Sequence, residues 1–492
     1  MNRRNEFELD WLKQWNLFSP ETVAIKDGDT GREFTYSQFF AAAAAGAAFL
    51  KSKFKIEAGD RVAVLSTNEL EYVLLFYALQ RLGATLVPVN FRLTSREVEH
   101  IVSDCTPKLI VHQPEFASVV AGLNFQAPKI LLSEISFSGA DSYAGFDSQP
   151  EMTAMIIYTS GTTGAPKGAL ISHEMIFWNS VNTTLRLNLS QNDCAVIFLP
   201  FFHTGGWNVL TTPFLHRGAK IVFLKKFDGD QILSLSEKEK ATLLFGVPTT
   251  MDMMARSKIY ASVDLSSIRY AIVGGEPMPI ELIHKWHNKG IPIRQGYGLT
   301  EFGPNVFSLS ERDALRKIGS IGFPNFYVSA KVVDDKGVEL GANEIGELWL
   351  KGPMCMTGYW NNPKATAETI TDGWLHTGDL VRRDEEGYYY VVGRKKEMYK
   401  SGGENIYPAE LEKVIRSLPG IREVAVIGVP DAKWGEVGKA FISIETNSQL
   451  SETQITEYCL KNLAKFKVPK YFHFLPELPK GDSGKILKRQ LL

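Results

Sequence analysis

One short stretch constrains this chain more than any other: Tyr158-Thr-Ser-Gly-Thr-Thr-Gly-Ala-Pro-Lys-Gly-Ala169. Met152 to Ile157 before it reads as a strand, and a helix-like segment begins near Ser172 after it. Within Thr159–Gly168 stand four hydroxyl side chains, three glycines and Lys167. Glycine lets successive backbone N–H groups turn toward one point, and Ser and Thr hydroxyls add uncharged donors. With one mobile lysine, this makes a cradle for a polyphosphate. A plain polar loop is the competing reading. The Walker phosphate loop is excluded by spacing, because it ends Gly-Lys-Ser/Thr, whereas here Pro166 precedes Lys167 and Gly168 follows it.

At 492 residues the chain exceeds one compact core, so two to four domains are expected. Lys+Arg 54 against Asp+Glu 55 leaves a net charge of −1, which argues against nucleic acid as a partner and makes any nucleotide site local. Cysteines 105, 194, 355 and 459 lack metal-like spacing, and the simplest expectation is a reduced, cytoplasmic protein. No apolar run follows Arg3-Arg4, no stretch has the length of a membrane span, and the C-terminus carries no lipidation or peroxisomal tail. Peripheral membrane contact and a homodimer are left open.

From residue 35 to 115 helix and strand alternate. Phe39–Leu50 is alanine-rich and helical, and Arg61–Leu65 is a short apolar strand. Glu69–Leu82 reads as a helix closed by Gly83, followed by a strand at Thr85–Val89. Thr94 and Glu97 form a capping box for the next helix, and Lys108–Val111 is another strand. Such alternation predicts a parallel sheet covered by helices on both faces. Residues 116–150 show weak periodicity. Toward the end, Pro408 opens a helix with Leu411, Val414, Ile415 and Leu418 on one face, Val424–Val429 and Ala440–Ile444 are strands, Ser451 and Gln454 cap a helix, and Tyr471–Leu475 is a last strand. The expected class is α/β: a large N-terminal domain of helix-covered sheets and a small α+β C-terminal domain.

Further motifs follow the loop in order. They are Leu199-Pro-Phe-Phe-His-Thr-Gly-Gly-Trp207, Val273-Gly-Gly-Glu-Pro277, Gln295-Gly-Tyr-Gly-Leu-Thr-Glu301, Asp372-Gly-Trp-Leu-His-Thr-Gly-Asp379, Val392-Gly-Arg-Lys-Lys-Glu397, Lys400-Ser-Gly-Gly-Glu404, Trp434-Gly-Glu436 and Pro479-Lys-Gly-Asp-Ser-Gly-Lys-Ile486. Taken singly, His203 is a structural histidine, Trp207 a core aromatic, Gly274-Gly275 a tight turn and Arg394–Lys396 a solvated patch. Together, and in this order, they resemble the AMP-forming adenylate synthetases, a superfamily of acyl-CoA synthetases, peptide-synthetase adenylation domains and luciferases. The resemblance runs from about residue 20 to 492 and is strongest to the medium- and long-chain fatty acyl-CoA ligases.

The resemblance implies roles residue by residue. Thr159, Ser160, Gly161, Thr162, Thr163, Gly164 and Lys167 would hold the phosphates of ATP. The backbone at Gly274, Gly275, Glu276 and Pro277 would lie against adenine, with Gly296, Tyr297 and Gly298 on the purine and Thr300 on phosphate. Glu301 would bind Mg²⁺, with Thr159 as a second protein ligand. Asp379 would take the ribose hydroxyls, with Arg394 near ribose and phosphate. Phe202 and His203 would line the path of the acid, and Trp207 would gate a fatty-acyl tunnel. Lys400, Ser401, Gly402, Gly403, Trp434 and Gly435 would border the tunnel for the CoA thiol. Lys485 matches the catalytic lysine, so the catalytic set implied is Lys485, Glu301, Thr300 and His203. The division implied is residues 1–393 for ATP and acid and a mobile domain at 394–492, with a hinge near Lys396.

The reaction expected is a carboxylic acid, ATP and CoA giving acyl-CoA, AMP and pyrophosphate, with Mg²⁺ as cofactor and a medium- or long-chain fatty acid as the leading substrate. An aryl acid stays open. Amino-acid adenylation is disfavoured because seven residues after Lys485 leave no room for a carrier domain, and a non-catalytic AMP sensor is disfavoured because Lys167, Glu301 and Lys485 are all present.

Overall fold

The computed structural model describes residues 8–139, 141–159, 166–276, 278–446, 448–481 and 486–491. The chain divides into two compact units, Met1–Ser329 with Leu350–Leu375 and Ala330–Trp349 with His376–Leu492. The architecture is the expected α/β one, a large unit of helix-covered sheets and a small α+β unit.

In the larger unit, short β-branched and apolar runs build a six-stranded sheet in the order Lys129–Leu131, Leu109–His112, Arg61–Leu65, Thr85–Val89, Thr153–Thr159, Lys167–Ser172. Its strands are parallel as far as Thr153–Thr159, and Lys167–Ser172 returns antiparallel. The helix Ser95–Cys105, opened by the expected Thr94–Glu97 box, presses Val98, Ile101, Val102 and Cys105 onto Ala63, Val87 and Ile110. The alanine run lies buried in the helix Tyr36–Phe54, which packs on Leu70–Arg81. Lys129–Leu131 falls in the stretch whose periodicity was too weak to read, and Lys167–Ser172 was hidden in the phosphate-loop motif.

A second sheet of nine strands runs Phe323–Pro324, Gly303–Ser308, Ile293–Leu299, Tyr270–Val273, Leu243–Gly246, Cys194–Ile197, Lys220–Phe223, Val23–Asp27, Glu33–Thr35. Helices Gly229–Lys238, Pro248–Ala255 and Ile280–Asn288 bury Ile232, Met251, Ile283 and Trp286 against Val196, Leu244 and Ala271. Because Leu243–Gly246, Tyr270–Val273 and Ile293–Leu299 are parallel neighbours, their carboxyl ends come out side by side. Ligands of open α/β sheets bind at such an edge.

In the smaller unit, Tyr389–Arg394 pairs with Trp374–Arg383, which sits in a five-stranded sheet with Ile345–Lys351, Ser329–Val333 and Ile370–Thr371. A short 3₁₀ turn, Lys395–Glu397, leads from it to a second five-stranded sheet that contains the hairpin Tyr399–Ser401/Glu404–Ile406. The long pair Ile421–Asp431/Gly435–Ile444 has side chains alternating across its two faces. Val424, Val426, Ala440 and Ile442 face Leu411, Ile415, Ile455 and Cys459 of two helices, while Ala425, Ile427 and Phe441 take Leu478 and Leu491 of the C-terminal segment. The boundary expected at 393/394 falls inside this unit, between its two sheets. Compactness alone assigns residues 330–349 and 376–393 to the smaller unit, because their strands pair with one another.

No described helix is long and apolar enough to cross a membrane. The four cysteines are free, with Cys105, Cys194 and Cys459 buried.

Within the smaller unit the C-terminal segment is tied down by Lys488 Nζ, 2.8 Å from both Glu397 and Glu412. Burial alone would lower the Lys488 ammonium, but the two carboxylates outweigh it and hold it above the ordinary 10.5. A raised lysine contributes stability that is fully present below its unfolded value and is lost as pH rises through the folded one. We expect urea melts of Lys488→Ala to show a loss of about 2 kcal/mol at neutral pH, since two carboxylates lose their cation. The wild type should approach the mutant only above pH 10.5; a mutant as stable as wild type at pH 7 would refute the clamp.

Candidate active site

The phosphate-loop motif leaves the carboxyl end of the parallel strand Thr153–Thr159 and returns as Lys167–Ser172, with Thr159 paired to Lys167. Ser160, Gly161, Thr162, Thr163 and Gly164 lie outside the described residues, as do Pro277 and Lys485. The foot of the loop is well defined. Thr159 Oγ1 lies 3.3 Å from Glu301 Oε1, although 142 residues separate them in sequence. Glu301 sits beyond the carboxyl end of Ile293–Leu299, in the turn that leads to Gly303–Ser308. The structure thus brings together the two residues expected at the cation, one carboxylate and one hydroxyl. Both are hard oxygen donors of the kind Mg²⁺ accepts, so they fit that ion.

A third group joins them that the sequence did not disclose. Tyr359 Oη donates to Glu301 Oε1 at 3.0 Å, and Lys167 Nζ lies 5.4 Å from the centre of the Tyr359 ring. Burial, and then the Glu301 carboxylate, push the Tyr359 phenol above its ordinary value, so it stays a donor. The pair Tyr359-Trp360 after Gly358 signals a fixed aromatic turn, but no spacing ties it to a glutamate 58 residues earlier. One strand position before Thr159, the Tyr158 hydroxyl donates to Asp104 Oδ2 at 2.5 Å, which anchors the strand to the helix Ser95–Cys105.

On the purine side, Val273 pairs with Gln295, so Gly274 and Gly296 leave adjacent strands together. A Cβ on Gly274 or Gly296 would meet nothing closer than 3.7 Å, whereas one on Gly298 would lie 2.2 Å from the Pro304 carbonyl oxygen. Gly275 has φ +85°, open to glycine alone at little cost. Glu276, Thr300 and Tyr297 are half-buried, the last with its ring edge-on to Phe307 at 5.8 Å.

The acid side joins the purine side through the next strand, where Gly274 N–H donates to Gly246 O. Phe245 lines a narrow crevice with Val196, Ile197, Phe198, Leu199 and Gly205, too tight as it stands to admit water. His203 precedes the short helix Thr204–Asn208 and packs on Phe202 at 4.4 Å. Asn68, buried and not anticipated, fixes this segment by donating to Leu199 O and accepting from Phe201 N–H. Trp207, which the sequence leaves open as a core aromatic or a tunnel gate, is packed as a core group. It is 0% exposed, its Nε1 donates to Phe201 O at 2.6 Å, and its ring is enclosed by Tyr72, Phe76 and Phe201. In this conformation it is a core group that lines no open space, and gating would require that aromatic cluster to open.

The smaller unit holds its own set. Asp379 and Arg394 are register partners on adjacent strands, with Nε 2.7 Å from Oδ1. Lys400, Ser401, Gly402, Gly403, Trp434 and Gly435 all meet at one corner, where Ser401 pairs with Gly435 and Gly402 N–H donates to Trp434 O. Gly402, at φ +59°, lies under the half-exposed Trp434 indole, leaving no room for a side chain. Lys396 lies in the 3₁₀ turn between the two sheets of the unit.

Glycine-lined strand ends and a hydroxyl-held carboxylate beside the strand pair Thr153–Thr159/Lys167–Ser172 fit an adenylate-forming enzyme. The comparisons agree. A family model described as AMP-binding enzyme matches residues 12–360, and one described as AMP-binding enzyme C-terminal domain matches 410–485. The chain belongs to the AMP-binding enzyme family. It is 37% identical to a feruloyl-CoA synthase of an Amycolatopsis species, with 99% of each chain covered. It is 38% identical to the long-chain-fatty-acid–CoA ligase FadD13 of Mycobacterium tuberculosis, covering 98% of this chain and 97% of the relative. The o-succinylbenzoate CoA synthetase MenE of Bacillus subtilis, solved with an acyl-adenylate intermediate, superposes with a TM-score of 0.90 at 31% identity, over 98% of this chain and 97% of that one.

The glycine geometry yields a paired prediction. Gly274→Ala has space for its methyl group, so its melting temperature should stay within a few degrees of wild type while KM for ATP rises, the methyl entering the purine groove. Gly298→Ala should cost at least about 2 kcal/mol of stability, because its methyl collides with backbone. Equal behaviour of the two variants in thermal melts and ATP titrations would refute the assignment.

Proposed function

We propose that this enzyme joins an apolar carboxylic acid to CoA through an acyl-adenylate, and that an aryl-bearing acid is its preferred substrate. The observation that carries the adenylation reading is the meeting of Thr159 and Glu301 at the foot of the phosphate loop. The substrate carboxyl is ionised near neutral pH and needs no base to attack the α-phosphorus. Alignment and offset of negative charge therefore do the work. Thr159 and Glu301 would hold Mg²⁺, which supplies charge neutralisation on the phosphates; MenE has been solved with ATP and a magnesium ion. Lys167 and the loop hydroxyls would bind the phosphates, Tyr297 and Gly274–Gly275 the purine, and Asp379 with Arg394 the ribose. Lys485 would bridge the carboxylate and α-phosphate. In the second half-reaction the CoA thiolate attacks the acyl carbonyl and AMP leaves, with Gly402, Gly403, Trp434 and Gly435 bordering the thiol path. A cytoplasmic setting fits the four free cysteines.

The closed packing around Trp207, which leaves no room for a long acyl chain in this conformation, and the Phe245-lined crevice favour a planar aryl group, in line with the feruloyl relative. A medium- or long-chain fatty acid is the second reading, favoured by the FadD13 relative, and it demands that Trp207 swing out. A pyrophosphate-release screen over aryl, fatty and amino acids, with and without CoA, decides between them. If fatty acids win, Trp207→Ala should alter long-chain rates far more than short-chain ones, each buried methylene contributing about 0.8 kcal/mol.

One small unit is asked to serve both half-reactions, with Lys485 in the first and Gly402, Gly403 and Gly435 in the second. We propose that the part beyond Lys396, residues 397–492, turns between them at that residue. Lys485→Ala should cut adenylate formation by about a hundredfold while sparing thioester formation from supplied acyl-adenylate. Lys396→Pro, which fixes its own φ and restricts Lys395, should do the reverse, cutting thioester formation by at least about tenfold. Separate assays of the two half-reactions decide; a proline variant active in both would place the hinge elsewhere or remove the need for turning.

A further inference from the structure

Tyr359 belongs to no motif that defines the nucleotide site, yet it touches two of that site's charged groups. Its hydroxyl lies 3.0 Å from Glu301 Oε1, and the Thr159 hydroxyl lies 3.3 Å from the same oxygen. Among the described residues, Glu301 Oε2 takes no hydrogen bond. Two donors on one oxygen fix the plane of a carboxylate and leave the other oxygen to a ligand. The ring of Tyr359 faces the Lys167 ammonium at 5.4 Å, within cation–π range.

Tyr359 is itself held on several sides. Its N–H donates to Thr366 Oγ1 at 2.9 Å, and it bridges to Ala169, two residues beyond Lys167. The next residue, Trp360, donates from its backbone to Gly168 O at 2.7 Å and from its indole to Asp104 O at 2.9 Å. The segment is therefore fastened to the strand that carries Lys167 and to the helix that anchors Tyr158.

We propose that Tyr359 is a positioning residue for cation binding: its hydroxyl pins Glu301 Oε1 so that Oε2 is the oxygen presented to the divalent cation, and its ring seats Lys167 beside it. The proposal rests on the nucleotide-site reading above. It assigns Thr159 and Tyr359 a shared task, orienting the ligand carboxylate. Partners that orient a metal ligand are typically worth tenfold or more in metal affinity.

The test uses the full chain, an α,β-methylene analogue of ATP and Mn²⁺ as a spectroscopic stand-in for Mg²⁺, with free Mn²⁺ read by electron paramagnetic resonance. Tyr359→Phe keeps the ring and loses the hydroxyl. It should weaken Mn²⁺ binding about tenfold, while metal-free binding of the analogue stays within about twofold of wild type and the melting temperature is unchanged. Tyr359→Leu removes the ring as well and should weaken metal-free analogue binding in addition, because Lys167 loses its seat. Glu301→Gln is the control for the underlying reading and should weaken Mn²⁺ at least as much as Tyr359→Phe. If Glu301→Gln weakens Mn²⁺ and Tyr359→Phe does not, the role of Tyr359 is overturned while the site reading stands. If Glu301→Gln binds Mn²⁺ as wild type does, both fall. A Tyr359→Phe variant that melts several degrees lower with Mn²⁺ affinity intact would make the hydroxyl structural and overturn the proposal.

Discussion

The hydrogen bonds onto Glu301 Oε1 are where three distant stretches of this chain become one site. Thr159 arrives from the edge of the six-stranded sheet, Glu301 from the nine-stranded sheet, and Tyr359 from the segment that returns after residue 349. A carboxylate that must take a hard cation has to be aimed, and an unaimed one loses the benefit to rotamer entropy. Hydroxyl donors aim it without cancelling its charge, which a lysine or arginine in their place would do. The lysine that is present, Lys167, faces the tyrosine ring rather than the carboxylate. On the reading proposed above, the arrangement would keep opposite charges close enough to serve one polyphosphate without collapsing onto each other.

Much of this was readable in advance, and the reason is local. Strands such as Arg61–Leu65 and Thr85–Val89 are apolar runs with clear ends, and the Thr94–Glu97 and Ser451–Gln454 boxes satisfy helix N-termini with side chains a few residues away. That Thr159 and Glu301 would meet was implied by the resemblance to the adenylate-forming family, not by either motif alone. Lys129–Leu131 and Lys167–Ser172 were not read as strands, because three to six residues beside glycine or proline carry no periodicity of their own and are strands through their neighbours. Most of the nine-stranded sheet was passed over for the same reason. Val23–Asp27, next to the edge strand Glu33–Thr35, is added to Lys220–Phe223 from the far end of the sequence.

The aromatic side chains show the other limit. The resemblance implied that Phe202, His203 and Trp207 lie near the acid, but could not distinguish a wall from a gate. The distinction lies in tertiary facts. The indole N–H of Trp207 is satisfied by Phe201 O, and Tyr72 and Phe76, from a helix more than a hundred residues earlier, close around the ring. A buried indole with its donor already paired has little reason to move unless a ligand repays both the lost hydrogen bond and the lost contact. If Trp207 does border the acid, as the resemblance implies, any chain-length selection would depend on how firmly Tyr72, Phe76 and Asn68 hold the segment that carries it.

The smaller unit, on the reading proposed above, would have to present two chemistries. Its central strand pair has two buried faces, one taken by the helices Pro408–Arg416 and Glu452–Asn462, the other by the C-terminal segment through Leu478 and Leu491. Packing the terminal segment against a sheet, with Lys488 clamped between Glu397 and Glu412, makes its position a property of the whole unit rather than of a loose tail. Glu397 closes the 3₁₀ turn that contains Lys396. Through Lys488 the terminal segment is therefore fastened to Glu397, on the C-terminal side of Lys396. The proposed rotation about Lys396 would then carry the terminal segment and the Gly402–Trp434 corner together, and a few backbone dihedrals would suffice to exchange one surface for the other.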